Sequence, residues 1–551
     1  MADRARYDVV IVGSGPGGAA VAQRLAPTGK RILILERGGW LERSAENWNA
    51  AKVFIENAYR ADETWYDRRG AAFHPGLHYF VGGNSKVYGA ALFRMRERDF
   101  EALRHAGGLS PEWPVKYDVF APYYDEAERL YRVHAAAGED PTEPPRSGPY
   151  PYPPLAHEPR LQALSDALAL QGLHPFHMPI GVMLDQGSLL AERQSAFVRN
   201  PYFDGYPSPT NGKADAEVVS IVPTLAAHPN VTLRVGARVA RLSTDPGGHC
   251  VTEIHALCEG APERYAADIV VLACGALSTA LLLLRSADER HPQGLANGSG
   301  QVGRNYMRHN QSAMLAVGRE PNDTVFQKTL ALSDFYFGAD DWDCPLGLIQ
   351  MTGKSHADTL RGEVLPPWLE WLPRMPFDCV ARHALDFWLS SEDLPRPENR
   401  IRYVRDRVVL EQHDNNMEAH RRLRGKLRGV LARIDASARL LDRRHLLGMR
   451  IPIGGTAHQA GTARFGTDPR SSVLDTACKA HELDNLYVAD ASFFPSISAV
   501  NPTLTIVANA LRVADGIAER LGALRVREPA QGDGGGDPAR AAAAAPEARH
   551  A

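Results

Sequence analysis

Apolar and polar positions alternate in two rhythms near the start of the chain. Tyr7–Val12 is a continuous apolar run, the pattern of a strand buried on both faces, and Ala19–Leu25 follows with helix-forming residues. A second apolar run, Arg31–Leu35, ends on Glu36. The segment Ala267–Ser286, ADIVVLACGALSTALLLLRS, repeats strand, glycine and helix. Val231–Leu242 has strand character, and Leu486–Ala489 reads as a strand that stops at Asp490, with a loop and then a helix from about Thr503. Together these runs predict an α/β fold (α+β overall). A Rossmann-like nucleotide domain would be discontinuous in sequence, drawn mainly from residues 1–310 and again from 449–526.

Between these parts the pattern changes. Residues 40–81 have weak periodicity and read as a helix and a long connection. Trp113–Tyr131 reads as a turn feeding an amphipathic helix whose aromatics belong to a core. Pro141–Pro159 and Ser195–Glu217 read as connections rich in turn residues. Asn399–Leu410, NRIRYVRDRVVL, alternates as antiparallel strands do, and Met417–Leu441 reads as a long Arg-rich helix with one solvated face. Residues 311–448, with contributions from about 90–225, are therefore expected to form a second, antiparallel-sheet domain with helices that binds substrate. The Pro/Gly/Ala-rich stretch 527–551 is expected to be a disordered tail.

Composition narrows the function classes. Among 551 residues the formal net charge is −3, which argues against nucleic acid or an anionic membrane as partner. Apolar runs such as Ile269–Ala273 are too short to span a bilayer, and no charged-then-apolar leader precedes the first strand. The six cysteines are scattered without a C-x-x-C pair, which predicts reduced thiols in a cytoplasmic protein and no metal site.

The chemistry-bearing stretches begin with Gly13-Ser14-Gly15-Pro16-Gly17-Gly18, which fits G-x-G-x-x-G between the first strand and helix. Gly13 allows the tight turn, Gly15 lets backbone approach a pyrophosphate, and Gly18 lets helix pack on strand. Glu36 stands where an acid accepts hydrogen bonds from a ribose diol. Val81–Gly89, VGGNSKVYG, suits backbone passing close to a ligand. Gly454–Asp468, GGTAHQAGTARFGTD, carries His458. With 20 histidines in the chain, His309, His383 and His413 read as core or loop residues.

In order, GSGPGG with Glu36, VGGNSKVYG, the turn at Gly275, HQAGTARFG and DASFFPSISAVNPTLT resemble the glucose-methanol-choline (GMC) flavin oxidoreductases over nearly the whole chain. The resemblance implies FAD rather than NAD. The pairing of His458 with Asn501 is similar to the His–Asn branch, which includes pyranose oxidases, bacterial sugar dehydrogenases and glycoside 3-oxidases. SEDLPRPENRI at 391–401 resembles the bacterial members.

Roles follow from that resemblance. His458 is implied as the base and Asn501 as its partner on the substrate oxygen. Gly13, Gly15, Pro16, Gly17, Gly18, Glu36, Arg37, Gly82, Gly83, Asn84, Ser85, Val239, Ala273, Gly275, Asp490, Ala491, Asn501, Pro502 and Thr503 are implied as cofactor contacts. Val87 stands where pyranose oxidases carry the histidine that attaches flavin, so the FAD is expected to be non-covalent. Gln350 and Trp388 are candidates for lining the substrate site. The chemistry agrees independently: oxidising an alcohol requires a base for the hydroxyl proton, and histidine titrates near neutral pH. The expected reaction converts a secondary hydroxyl of a sugar or glycoside, at C3 or C2, to a keto-sugar. Oxygen is the expected acceptor, because no C-x-x-C-H haem motif is present. A dehydrogenase using a quinone and a flavin-containing hydroxynitrile lyase are the alternatives.

Overall fold

A computed structural model describes residues 5–184, 201–364, 372–434, 439–442 and 453–523. The expected tail and the start of the Ser195–Glu217 loop lie outside these residues.

The largest sheet has seven strands: β1 (Ala5–Val12), β2 (Ile32–Leu35), β3 (Val231–Arg234), β4 (Ala237–Thr244), β5 (Val251–Cys258), β6 (Ala261–Leu272) and β7 (Leu486–Val488). Its parallel part runs β3-β2-β1-β6-β7. Val9–Ile11 and Ile32–Leu35 are buried throughout, as strands covered on both faces require. The long strand β6 serves two neighbours. Its first residues close a β4-β5-β6 antiparallel meander, and Val270–Leu272 pair with β7. Helices α1 (Pro16–Leu25), α2 (Ala276–Arg285) and α3 (Thr503–Arg520) follow β1, β6 and β7, so three helix N-termini converge at one end of the sheet.

A second sheet of six strands is antiparallel. Its order is 439–442, Asn310–Val317, Ala384–Ser391, Leu348–Met351, Leu330–Leu332 and Phe176–His177. Alternation along its strands gives it two distinct faces. Met314, Ile349, Met351, Phe387 and Leu389 pack against Leu423, Leu427 and Val430 of the helix Met417–Ile434 and Leu161, Leu164 and Leu168 of the helix Pro159–Ala169. The opposite face carries Gln311, Gln350 and Trp388.

Three readings of the chain are revised here. The Arg-rich helix ends at Ile434, and Arg439–Asp442 form an edge strand on Met314–Val317. A backbone ladder to a distant strand decides that segment, and local periodicity carries no trace of it. The run Asn399–Leu410 does form antiparallel strands, the hairpin Arg400–Val404/Arg407–Glu411, but it stands outside the six-stranded sheet, pairing through Arg407–Glu411 with Trp65–Asp67, which pairs in turn with Ala72–Phe73. Within 40–81 the helix spans only Ala50–Phe54, capped by Asn49, and short strands follow. No helix among the described residues is long and apolar enough to cross a membrane.

Candidate functional site

A cavity of about 480 Å³ runs from the glycine turn after β1 to the polar face of the second sheet. That volume lies within the range of small-molecule sites, roughly 300–1,000 Å³.

At the nucleotide end the glycines divide into closed and open positions. Gly13 has φ +102°, and a Cβ there would lie 2.4 Å from the Ala273 carbonyl oxygen. A Cβ on Gly17 would lie 1.8 Å from the oxygen of Ala489, the residue that follows β7, so α1 and the end of that strand touch through their backbones. Gly15 differs, since its Cβ would meet nothing within 4 Å and would point into open space beside the N-terminus of α1. An open cradle of backbone N–H groups at a helix start fits a pyrophosphate.

The acids here are already partnered. Glu36 is buried and accepts from Ser14 N at 3.0 Å, Ser14 Oγ at 2.7 Å and Gly38 N at 2.8 Å. It therefore braces the glycine turn as well as bordering the cavity. Asp490 accepts from Gly275 N, Thr279 Oγ1, Ser492 N and Ser492 Oγ. Those four bonds tie the α2 turn to the loop after β7, and burial pushes the Asp490 carboxyl upward. Arg37 bonds Glu63 at 2.6 Å and lies over the Tyr79 ring.

Asn84 holds the 76–84 loop by accepting from His78 N and donating to the Gly76 oxygen. Ser85 donates to the Gly82 oxygen at 2.6 Å. Val87 borders the cavity and Lys86 turns away, buried against Asp215 and Glu217. Of the expected cofactor contacts, Gly13, Gly15, Pro16, Gly17, Glu36, Arg37, Gly83, Asn84, Ser85, Val239, Ala273, Gly275, Asp490, Ala491, Asn501, Pro502 and Thr503 border the cavity. Gly18 and Gly82 stand back from it. A Gly18 Cβ would lie 2.0 Å from the Gly13 oxygen, and Gly82 N donates to Ser14 Oγ, so both shape the turn.

His458 sits just before the short strand Gln459–Ala460, which pairs with Met307–Arg308. Its Nδ1 lies 2.8 Å from His309 Nδ1 and 2.9 Å from Gln311 Nε2. Its Nε2 has no partner among the described residues. Burial, then the neighbouring His309 and Lys328, hold its proton affinity well below the ordinary histidine range. A neutral imidazole at physiological pH is able to accept a proton. Asn501 is reached from the second sheet, where Gln350 Nε2 donates to Asn501 Oδ1 at 3.1 Å. Gln350 is 2 % exposed, and its Oε1 is buried without a partner among the described residues. Trp388, across the ladder from Gln350, is half-buried at the cavity wall.

The loop that carries Asn501 rests on an aromatic cluster. Trp113 packs edge-on against Phe465, Phe493 and Phe494 and donates to Ser496 Oγ at 2.7 Å. The sequence points to His458, Asn501 and the neighbouring Gln350 and Trp388, but not to the partners of His458. His309, which by sequence reads as a core or loop histidine, touches His458. Gln311 carried no signal, because only strand pairing turns it toward the cavity.

A family profile described as FAD dependent oxidoreductase matches residues 8–343, and one described as GMC oxidoreductase matches 407–510. Paromamine 6'-oxidase of Streptomyces fradiae is 32% identical over 94% of this chain and 92% of its own. The chain belongs to the GMC oxidoreductases. The 6'''-hydroxyparomomycin C oxidase of Streptomyces lividus is 31% identical over 95% of this chain and 93% of its own. Among solved structures, pyridoxine 4-oxidase from Mesorbium loti matches with TM-score 0.63 at 20% identity, covering 93% of this chain and 99% of that one. The protein is a GMC-type FAD-dependent oxidoreductase acting on CH–OH groups, and the open cradle at Gly15 suits its FAD.

Proposed function

We propose that this enzyme oxidises a hydroxyl of a sugar or glycoside, with His458 as base and Asn501 holding the substrate oxygen. The observation that carries the reading is the link between these two residues through one sheet face. Gln311 reaches His458 and Gln350 reaches Asn501, and both side chains border the same cavity. Bound FAD supplies the two-electron acceptor for the hydride that leaves carbon. The bare Nε2 of His458 accepts the hydroxyl proton. Because Gln350 occupies Asn501 Oδ1, the Asn501 N–H groups are left to donate to the substrate oxygen. The free Gln350 oxygen accepts from a neighbouring hydroxyl, and the Trp388 ring offers an apolar wall.

Electrostatics favour a neutral glycoside over a polyamine. Among the described residues the cavity is bordered by six basic side chains, Arg37, Arg60, Arg238, Arg285, Lys328 and Lys354, against four carboxylates, each already hydrogen-bonded. Glu36 and Asp490 are bonded as described, Glu63 meets Arg37 and Tyr79, and Asp204 meets Lys328 and Gly353 N. The two Streptomyces relatives are named as oxidases of 6'''-hydroxyparomomycin C and of paromamine at its 6' position. We assign this chain a secondary hydroxyl, at C3 or C2, with oxygen as acceptor. Fructose dehydrogenase large subunit of Gluconobacter japonicus, 24% identical, supports sugar chemistry with another acceptor as the second reading.

The test is an anaerobic screen in which sugars, glycosides and amino sugars are mixed with the holoenzyme and flavin bleaching is followed. Air is then admitted and peroxide measured. Bleaching by neutral glycosides with a keto-sugar product supports the reading. Bleaching by amino sugars alone, with an aldehyde product, refutes it. Because Val87 carries no nucleophile, acid precipitation of the same sample should leave yellow FAD in the supernatant; flavin in the pellet contradicts non-covalent binding.

A further inference from the structure

We propose that His309 is a positioning residue that fixes the tautomer of His458, keeping the proton on His458 Nδ1 and leaving Nε2 bare. The inference rests on the reading of His458 as base and adds how that base is kept in its working form.

The geometry begins with strand register. Met307 pairs with Ala460 and Arg308 with Gln459, so the next position in the ladder sets His309 opposite His458. The rings meet edge to face at 90°, and their Nδ1 atoms are 2.8 Å apart. Two imidazole nitrogens at that distance need one proton between them, carried by one ring and accepted by the other.

The far side of His309 decides which. Its Nε2 lies 3.4 Å from the Ile497 carbonyl oxygen, and a carbonyl oxygen only accepts. His309 Nε2 therefore carries hydrogen. His309 is 2 % exposed, and burial lowers its proton affinity to about 4, so the ring is neutral and carries a single proton. Its Nδ1 is then a lone pair and receives the N–H of His458 Nδ1. Gln311 places its amide nitrogen, a donor, 2.9 Å from the same His458 nitrogen; a half-turn of the amide exchanges that nitrogen for the acceptor oxygen that a protonated Nδ1 requires, so Gln311 follows the tautomer rather than setting it.

This arrangement suits proton abstraction. The substrate O–H bond breaks and a bond from that proton to His458 Nε2 forms. Bound FAD would accept the hydride that leaves carbon, which balances the two electrons the alcohol loses. The imidazolium left on His458 keeps its Nδ1–H donated to the His309 lone pair, which stabilises the new charge. Without His309 the Gln311 amide serves either tautomer equally, and the form with hydrogen on Nε2 is unable to accept the proton.

The test compares His309→Leu and His309→Asn in the holoenzyme, with His458→Ala as control. Asn sets an acceptor oxygen near the lost Nδ1, whereas Leu removes it. The flavin-reduction rate at saturating glycoside should fall about 10- to 100-fold in His309→Leu, with FAD content and half-saturating glycoside concentration nearly unchanged. His309→Asn should stay within about threefold of wild type. A second readout does not depend on turnover. In ¹⁵N-histidine solid-state NMR of the wild type, the signals missing from His458→Ala should report a protonated Nδ1 and a bare Nε2. A wild-type rate in His309→Leu overturns the inference while a slow His458→Ala leaves the base reading standing. A protonated Nε2 on wild-type His458 overturns it even if His309→Leu fails to fold. A wild-type rate in His458→Ala removes the base reading, and the inference with it.

Discussion

The two ends of the cavity are built by different means. The nucleotide end is shaped by exclusion: backbone meets backbone at Gly13 and Gly17, with the space beside Gly15 left open. The reactive end is shaped by directed hydrogen bonds among side chains from four separate segments, at His309 and Gln311, Gln350, His458 and Asn501. Exclusion tolerates no added atom but asks little of protonation. A hydrogen-bond set tolerates changes of shape yet depends on which atom holds each proton. Mutations at the first end are thus expected to act on folding or cofactor content, and those at the second on rate.

The sharpest way to break this comparison is within the glycine turn itself. Gly17→Ala puts a methyl into the Ala489 carbonyl and should abolish soluble folded protein. Gly15→Val puts its side chain into the open cradle and should give folded apoprotein without flavin. Circular dichroism and the ratio of flavin to protein absorbance separate the two. Equal flavin content in Gly15→Val and wild type would undo the assignment of the cradle.

A smaller effect is expected at Gln350. Gln350→Leu keeps the bulk but loses the bond that orients Asn501, and flavin reduction should slow about 2- to 13-fold, the worth of one hydrogen bond of about 0.5–1.5 kcal/mol. FAD content should not change. Loss of flavin in this variant would mean that the second sheet also holds the cofactor.

The smallest effect is an expected flatness. His458 is shifted well below the ordinary histidine range, so it stays neutral and able to accept a proton as pH falls through about 6.5, where an unperturbed histidine would begin to charge. The flavin-reduction rate should therefore hold steady through that point and decline only at lower pH, measured by stopped-flow across buffers of constant ionic strength. A decline centred near 6.5 would return His458 to ordinary behaviour.

The contrast also accounts for what the sequence made legible. Gly13 to Gly18 and Glu36 are close in sequence, and steric rules fix both their spacing and their types. The apolar runs of β1, β2 and β6 were readable because parallel strands are buried on both faces. His458 and Asn501 were readable through the resemblance their flanking residues carry. His309 was left among the bland histidines because its role depends on a two-residue ladder between segments about 150 positions apart, and no local period encodes that pairing. The same holds for the strand at 439–442, which follows directly on a helical pattern. The double duty of Glu36 was hidden too, since the Ser14 hydroxyl reaches it only once the turn has closed.

The account stands on His458 as the base of an FAD-dependent alcohol oxidation. The most direct measurement is the anaerobic stopped-flow rate of flavin bleaching by a glycoside in wild type and in His458→Ala, with flavin content matched. The account predicts full FAD occupancy and a reduction rate about 10²–10⁴-fold slower in the variant, the usual worth of a positioned general base. A variant that binds FAD and bleaches at the wild-type rate would contradict it.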